Sequence, residues 1–289
     1  MPGPAEGAGA VAAVEAALRA APGRFAVLAG AGVSSSAGIV TGEDLLRGRA
    51  AALGDDPGDQ PVGWYRARHG ARPNYIGLLA EAAGTSPDAP RLPGGHFEAA
   101  TVARRPTPAH RAIAAMVATG WLAPVVLTTN FDPLLELALS GAGVRCTVAA
   151  TLGSVARAVR RRGPAPGDRC LLVKLHGDYR DIGIRDSSAG RDRYHPLVDR
   201  LLDWVLGDHG LLVCGWSGAW DVALCAALER TATPGAPTLW LLRGAATPEA
   251  SRLIASRGAV VARVASSDAG LTGLAAALAG GATAAAPRE

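Results

Sequence analysis

Short segments that are apolar throughout recur along the chain, and each has the length of one buried strand. They lie at residues 25–28, 125–127, 171–175, 211–214 and 239–242, with a weaker sixth at 260–264. Stretches with a helical spacing of apolar residues alternate with them, at 110–118, 133–139, 155–161, 196–206, 222–230 and 248–256. Strands without polar alternation are typical of a sheet covered on both faces. The pattern therefore predicts an α/β fold, a doubly wound and mostly parallel sheet with helices on both sides.

The ends of the chain differ from this alternating part. Residues 1–22 are predicted to form an N-terminal helical segment, because 10–21 is rich in alanine, a strong helix former. Residues 23–274 are predicted to form the main domain. The small-residue stretch at 275–289 is predicted to be a disordered tail.

Two internal stretches interrupt the alternation. Residues 48–100 are rich in Gly, Pro, Asp and Arg and are predicted to be a small, partly helical insertion, with one helix beginning near Trp64 and Tyr65. Residues 178–195 are polar and are predicted to form a loop beside the functional site.

Composition excludes several functional classes. No apolar run reaches the roughly 20 residues that span a bilayer, and the first residues lack the basic start and apolar middle of a secretion signal. The net charge of +4 is spread thinly, and its densest cluster, at 157–162, alternates with apolar residues as a solvated helix face does. We therefore predict a cytoplasmic protein that binds neither membrane nor nucleic acid.

Cysteine and histidine spacing gives no sign of a metal site. There is no CxxC pair, and the cysteines are predicted to be reduced thiols, two of them in buried strands: Cys146, Cys170, Cys214 and Cys225. Apart from His176, which is discussed below, the histidines show no metal-ligand spacing: they are His69, His96, His110, His195 and His209.

Four predicted strands run directly into small or polar residues. These clusters are residues 30–38, 128–132, 176–178 and 215–217. In an open parallel sheet, ligands bind beyond the carboxyl ends of the strands. We therefore expect the four clusters to meet at one edge of the sheet and to form a binding site there.

The first cluster has the composition of a phosphate cradle. Glycine lets the backbone approach a pyrophosphate closely, and a helix after the loop would direct its N–H groups at the anion. The spacing is not the usual dinucleotide fingerprint and lacks the P-loop lysine. Helix capping is an equal alternative role for Ser34 and Ser36.

Three further polar residues stand at strand ends. Asp132 precedes Pro133, so it can simply cap the helix that follows. Capping does not explain Asn130, whose amide supplies both a donor and an acceptor for a sugar. His176 lies beside a glycine at a strand end, where a histidine is well placed for chemistry. Asp221, after the last cluster, is interpreted as a cap.

Taken in order, these clusters resemble the motifs of the sirtuin family. Residues 30–39 (GAGVSSSAGI) resemble the sirtuin cofactor loop. The other matches follow in the family's order: 106–110 (PTPAH) with 129–132 (TNFD) for the Gln-Asn-x-Asp region, 175–177 (LHG) for the catalytic histidine, and 215–217 (GWS) for the adenosine ribose loop. The resemblance extends over roughly residues 20–265.

The resemblance implies a Rossmann-like sirtuin core that binds NAD as substrate. It makes Asn130, Asp132 and His176 the catalytic residues. The cofactor-binding residues that it implies are Gly30, Ala31, Gly32, Ser34, Thr129, Phe131, Gly215, Trp216 and Ser217.

The chain also departs from sirtuin deacylases. The two cysteine pairs that hold structural zinc in those enzymes are missing, so no zinc is expected. Thr129 stands where they have glutamine, and 40–43 (VTGE) replaces their Pro-Asp-Phe-Arg. The pattern of Gly215, Trp216 and Ser217 followed by Asp221 is similar to bacterial sirtuin-like proteins that hydrolyse NAD, often in anti-phage defence. The resemblance thus implies an NAD glycohydrolase.

Two alternatives stay open. The same site could pass the ribosyl group to an acyl-lysine peptide, as NAD-dependent deacylases do, or it could bind NAD or ADP-ribose as a sensor without turnover. Because unregulated NAD hydrolysis would harm a cell, we also expect control by a homo-oligomer, a regulatory partner protein or the insertion at 48–100.

Overall fold

The computed structural model describes residues 8–73, 78, 105–178, 193–232 and 237–280. Their core is one sheet of seven strands in the order β3-β4-β2-β1-β5-β6-β7. Every neighbouring pair is parallel. The strands are β1 (Phe25–Ala29), β2 (Val125–Thr128), β3 (Cys146–Ala149), β4 (Cys170–Lys174), β5 (Gly210–Cys214), β6 (Thr238–Leu242) and β7 (Val260–Arg263).

Helices cover both faces of the sheet. Two short 3-10 turns follow β1, at Ala31–Val33 and Ser35–Ala37. The helices are α1 (Ala8–Ala20), α2 (Gly42–Ala52), α3 (Pro61–His69), α4 (Pro108–Ala118), α5 (Leu134–Gly141), α6 (Leu152–Arg161), α7 (Pro196–Asp208), α8 (Val222–Arg230), α9 (Pro248–Ser256) and α10 (Ser267–Gly280). Helices α1, α4, α5 and α10 share one apolar core with the sheet, and α6, α7, α8 and α9 share the other. The predicted doubly wound, parallel architecture is therefore confirmed.

Capping explains where several helices begin. Thr41, Thr107 and Thr151 accept a hydrogen bond from the third residue of α2, α4 and α6, and in each case that residue bonds back to the threonine N–H. This capping box satisfies two backbone donors that the first turn of a helix leaves without a partner. Thr247 caps α9 through the amide of Ala250.

Three elements differ from the sequence prediction. Strand β3 was not predicted, because three of its four residues are only half-buried at the sheet edge and the segment carries no continuous apolar signal. Helix α10 was also missed, and it runs to Gly280. The predicted tail boundary at 275 was wrong, because Leu274 and Leu278 are fully buried in the core; residues 281–289 lie outside the described part.

The two other predicted segments are only partly described. Helix α2 crosses the predicted start of the insertion at 48, and α3 contains Trp64 and Tyr65. Most of the rest of the insertion lies outside the described residues, as does most of the loop at 178–195. The N-terminal segment is integral to the domain, since α1 buries Val14 and Leu18 completely in the first core. None of the described helices combines the length and the apolar character needed to cross a bilayer.

Candidate active site

The four polar clusters follow four strands that are direct neighbours in the sheet. The order β4-β2-β1-β5 places the loops after these strands side by side at the carboxyl edge. Strand β1 lies between β2 and β5. The chain continues from β1 to β2 on one side and from β5 to β6 on the other, so the position between β1 and β5 is a topological switch point. Ligands bind at such points because the two diverging loops leave a crevice between them.

The loops after β1 and β5 are in backbone contact. The Gly32 amide donates to the Gly215 carbonyl oxygen at 2.8 Å. A Cβ on Gly30 would lie 2.4 Å from the Gly215 carbonyl oxygen, and one on Gly32 would lie 2.8 Å from the Gly215 Cα. Glycine is therefore required at 30 and 32 by the approach of one loop to the other.

The segment after β1 differs from the expected phosphate cradle in one respect. Two 3-10 turns stand where an α-helix was expected, the first of them containing Gly32, and α2 begins only at Gly42. Trp220 packs against Gly42, where a Cβ would lie 2.6 Å from its ring. The first turn of α2 is therefore in contact with the β5 loop.

Ser34 joins the first loop to the loop after β2. Its hydroxyl donates to Asp132 Oδ2 at 2.9 Å and accepts from Asn130 Nδ2 at 2.9 Å. Asn130 Nδ2 also donates to the Gly30 carbonyl oxygen at 3.1 Å. Ser34 makes no side-chain capping bond, so the capping alternative is not what the structure shows for it. Both N–H groups of the Asn130 amide are used within the chain, which leaves its carbonyl oxygen as the atom that can bond a ligand.

Asp132 combines capping with this network. Its Oδ1 accepts from the Leu134 amide at 3.0 Å, at the start of α5. Its Oδ2 accepts from Ser34. Pro133 is the N-cap residue and α5 begins at Leu134, so Asp132 lies one position before the cap, contrary to the prediction, and still accepts from the first helical N–H. The carboxylate also holds the hydroxyl of the neighbouring loop.

His110 is a member of this network that the sequence analysis missed. Its Nδ1 accepts from the Thr107 amide at 3.1 Å, so the neutral ring carries its proton on Nε2, which lies 3.3 Å from Ser34 Oγ. Burial lowers the pKa of His110 from 6.5 to about 4, against the opposing effect of the Asp132 and Asp268 carboxylates, while Arg111 lowers it further. The capping-box spacing Thr-x-x-His was the available signal.

His176 is oriented by a carboxylate. Its Nε2 lies 2.5 Å from Asp221 Oδ2, which also accepts from the Tyr194 hydroxyl at 2.8 Å. Asp221 Oδ1 accepts from the Leu224 amide at 3.0 Å, so the cap predicted for this residue is present as well. The ring centroids of Phe131 and His176 are 5.9 Å apart. The loop that carries Asn130 is therefore adjacent to the catalytic histidine candidate.

The other predicted binding residues lie on the same rim. Thr129 donates its amide to the Ala29 carbonyl oxygen at 3.2 Å, and Ala31 is exposed in the first 3-10 turn. Trp216 stacks on Trp240 with a centroid separation of 5.9 Å. The Ser217 carbonyl oxygen accepts from Thr247 Oγ1 at 2.5 Å, which ties the β5 loop to the start of α9.

The four cysteines are protonated thiols in this fold. Burial raises the pKa of Cys170, Cys214 and Cys225 to about 12 and that of Cys146 to about 11, so these thiols are protonated at neutral pH. Within the described residues, no group of three or more His, Cys, Asp or Glu side chains has the arrangement of a metal site.

Parts of the chain are similar to known proteins. Residues 124–261 match the model of the SIR2-like domain family. The NAD(+) hydrolase ThsA of Acinetobacter baumannii is 28% identical over 155 residues, which cover 53% of this chain and 27% of that protein. The chain thus spans about a quarter of the length of this curated relative.

Solved structures agree on the fold. Two ADP-ribose complexes of mutants of a Sir2 homologue are each 16% identical, with a TM-score of 0.50, over 91% of this chain and 94% of theirs. They share the overall fold of this chain. The comparisons thus show similarity to the SIR2-like domain family over residues 124–261 and a fold shared with Sir2 structures.

Proposed function

We propose that this protein hydrolyses the nicotinamide–ribose bond of NAD and releases nicotinamide and ADP-ribose. The observation that carries the proposal is the meeting of the Asn130 loop with a histidine–carboxylate pair, His176 and Asp221, at the switch point of the sheet. The similarity to a protein named as an NAD(+) hydrolase supports the same reaction.

The reaction requires little acid catalysis. Nicotinamide in NAD is already cationic, and it leaves as a neutral molecule when the bond to the ribose carbon breaks. The protein must stabilise the positive charge that develops on the ribose and position one water molecule for attack. The water gives its oxygen to the ribose carbon and one proton to a base.

His176 has the surroundings of that base. Asp221 Oδ2 accepts from Tyr194, so the proton in its short contact with His176 belongs to the Nε2 of the imidazole. In the neutral ring the lone pair is then on Nδ1, which can accept a proton from water or from a ribose hydroxyl. The negative charge of Asp221 stabilises the imidazolium that results.

The other predicted roles fit the remaining loops. The carbonyl oxygen of Asn130 would bond the ribose or the attacking water, the loop at 30–34 would hold the pyrophosphate, and 215–217 would hold the adenosine ribose. Both carboxylate oxygens of Asp132 already accept hydrogen bonds within the chain. A direct bond from Asp132 to the nicotinamide carboxamide therefore requires an additional hydrogen bond at one of these oxygens, and it stays a prediction.

The test is incubation of the purified protein with NAD alone, followed by chromatography for nicotinamide and ADP-ribose. His176→Ala and Asn130→Ala should abolish nicotinamide release and keep the circular dichroism spectrum of the wild type. His209→Ala is the matched control, because His209 lies just before β5 at the opposite edge of the same sheet, and it should retain activity. Wild-type turnover in His176→Ala would contradict the proposal.

The same assay separates the two alternatives. Cleavage that occurs only with an added acyl-lysine peptide would identify a deacylase, and ADP-ribose binding without any product would identify a sensor. Control by an oligomer or partner protein, the location in the cytoplasm and a role in anti-phage defence stay predictions.

A further inference from the structure

A single lysine stands out in the composition of this chain. Twenty-nine residues are lysine or arginine, and Lys174 is the only lysine among them. It is the last residue of β4, two positions before His176, and its side chain is completely buried. The chain therefore uses arginine at every other basic position and lysine only below the candidate active site.

Four oxygens of described residues lie within hydrogen-bond distance of the Lys174 ammonium. It donates to the main-chain carbonyl oxygens of Phe131 at 3.0 Å and Asp132 at 2.9 Å. It also donates to Glu136 Oε1 at 2.8 Å and Asp178 Oδ2 at 2.7 Å. The four oxygens belong to two different loops and to the first turn of α5, so this one group joins three segments.

The chemistry of the ammonium suits this position. It is a compact charge whose three N–H groups point in different directions, whereas the guanidinium of arginine is a planar fork suited to one carboxylate. A buried ammonium is tolerated only when it is paired and hydrogen-bonded. Both conditions are met by the two carboxylates and the two carbonyl groups.

The carboxylates around Lys174 decide how its removal can be tested. Two carboxylates share one ammonium, and Glu136 Oε2 is buried without a hydrogen-bond partner. Burial raises the pKa of Glu136, although the Lys174 charge and hydrogen bond oppose the rise. Removing the lysine would therefore take the ammonium away from two partly buried carboxylates, and a test must compensate for that change in charge.

The contacts also specify what Lys174 holds. Phe131 and Asp132 directly follow Asn130, and Asp178 lies two residues after His176. Both carbonyl oxygens that accept from Lys174 belong to the backbone that orients Asn130, and the Asp178 carboxylate belongs to the loop of His176. The ammonium is thus a side-chain link between the loops of the two proposed catalytic side chains, in addition to the ring contact of Phe131 with His176.

We propose that Lys174 is a positioning residue for cleavage of the nicotinamide–ribose bond, because its ammonium holds the loops 129–133 and 175–178 at the separation that places Asn130 and His176 on the same ribose carbon. The inference rests on the proposed function. Lys174 itself touches no substrate, since its side chain is enclosed below the rim.

The kinetic test uses a charge-compensated pair of variants. Glu136→Gln keeps an amide oxygen for Lys174 and is the control; its kcat should stay within about threefold of the wild type. Lys174→Met combined with Glu136→Gln removes the link together with one charge of each sign, so its net charge equals that of the wild type and the Asp178 carboxylate remains. Its kcat should fall about 100-fold, the size of effect expected from a shift of about 1 Å in reacting groups, whereas KM for NAD should change less than about threefold. A folded double variant with the kcat of the control would overturn the proposal.

A second readout does not depend on turnover. Amide hydrogen exchange should be faster in peptides covering 129–134 and 175–178 of the double variant than in Glu136→Gln, while peptides from β1 and β5 exchange alike. Equal exchange of the two loops in both proteins would refute the positioning role even if NAD is cleaved. If the wild type does not cleave NAD but the loops loosen as expected, the proposed function fails and the link between the loops stands.

Discussion

Acidification is expected to destabilise this protein through His110. The side chain is fully buried, and burial lowers its pKa from 6.5 to about 4. Between these two values the unfolded chain binds a proton at this position and the folded protein does not. The free energy of unfolding therefore falls as the pH falls, and the contribution of His110 is fully present only above about pH 6.5.

The difference in pKa gives the size of the effect. A difference of about 2.5 units corresponds to about 3 kcal/mol, because one unit is worth about 1.4 kcal/mol. Integrating the proton linkage from neutral pH, about 2 kcal/mol of this should be lost by pH 5 and the rest by about pH 4. Other titrating groups add their own pH dependence, so the effect must be measured as a difference between two proteins.

The assay is urea unfolding of the wild type and of His110→Gln at several pH values from 7.5 to about 4.5. Glutamine is neutral throughout and is a natural partner of threonine in a capping box, so it can retain the bond to the Thr107 amide. The wild type should lose about 2 kcal/mol more than the variant between pH 7 and pH 5. A constant difference, or a wild type that gains stability relative to the variant in acid, would show that His110 takes up its proton beside Asp132 in the folded state.

Two packing predictions can be tested by the same unfolding measurements. Gly215→Ala should cost at least about 2 kcal/mol, because Gly215 has a φ of 63° and a Cβ there would lie 2.6 Å from the Val33 nitrogen; Gly244→Ala, with a φ of 67° and open space around it, should cost about 1 kcal/mol. An equal cost at both positions would contradict the contact between loops. Leu278→Ala in α10 should cost about 2–5 kcal/mol, and the half-exposed Leu137 in α5 should cost far less on the same change. A small loss for Leu278→Ala would argue against the packing of the last helix.

Much of the candidate site could be expected from sequence because it lies at strand ends. A run such as Val125–Thr128 is buried on both faces, so its apolar residues predict a central parallel strand. The polar residues that follow such a strand lie at the carboxyl edge of the sheet. The convergence of the four clusters follows from that rule and is confirmed by the strand order. The edge strand Cys146–Ala149 is half-buried and short, and it carried no comparable signal.

The residues missed in the site share a different property, which is that their partners are distant in sequence. His110 bonds Ser34 across 76 positions, and Tyr194 bonds Asp221 across 27. The sequence around His110 or Tyr194, taken alone, is typical of an ordinary helix or loop. Asp221 is the clearest case, because a capping aspartate and a histidine-orienting aspartate have the same sequence signature, and here one carboxylate does both.

Residue patterns within single segments were enough to predict the parallel α/β architecture and the rim where the polar residues gather, because burial on both faces and helical periodicity are properties of single segments. The pairing of the polar groups became visible in the folded chain: Ser34 pairs with Asn130 and Asp132, His176 with Asp221, and the one lysine with two loops. Pairing depends on strand order and on the separation of loops that are far apart along the chain, and no local pattern of residues encodes either quantity.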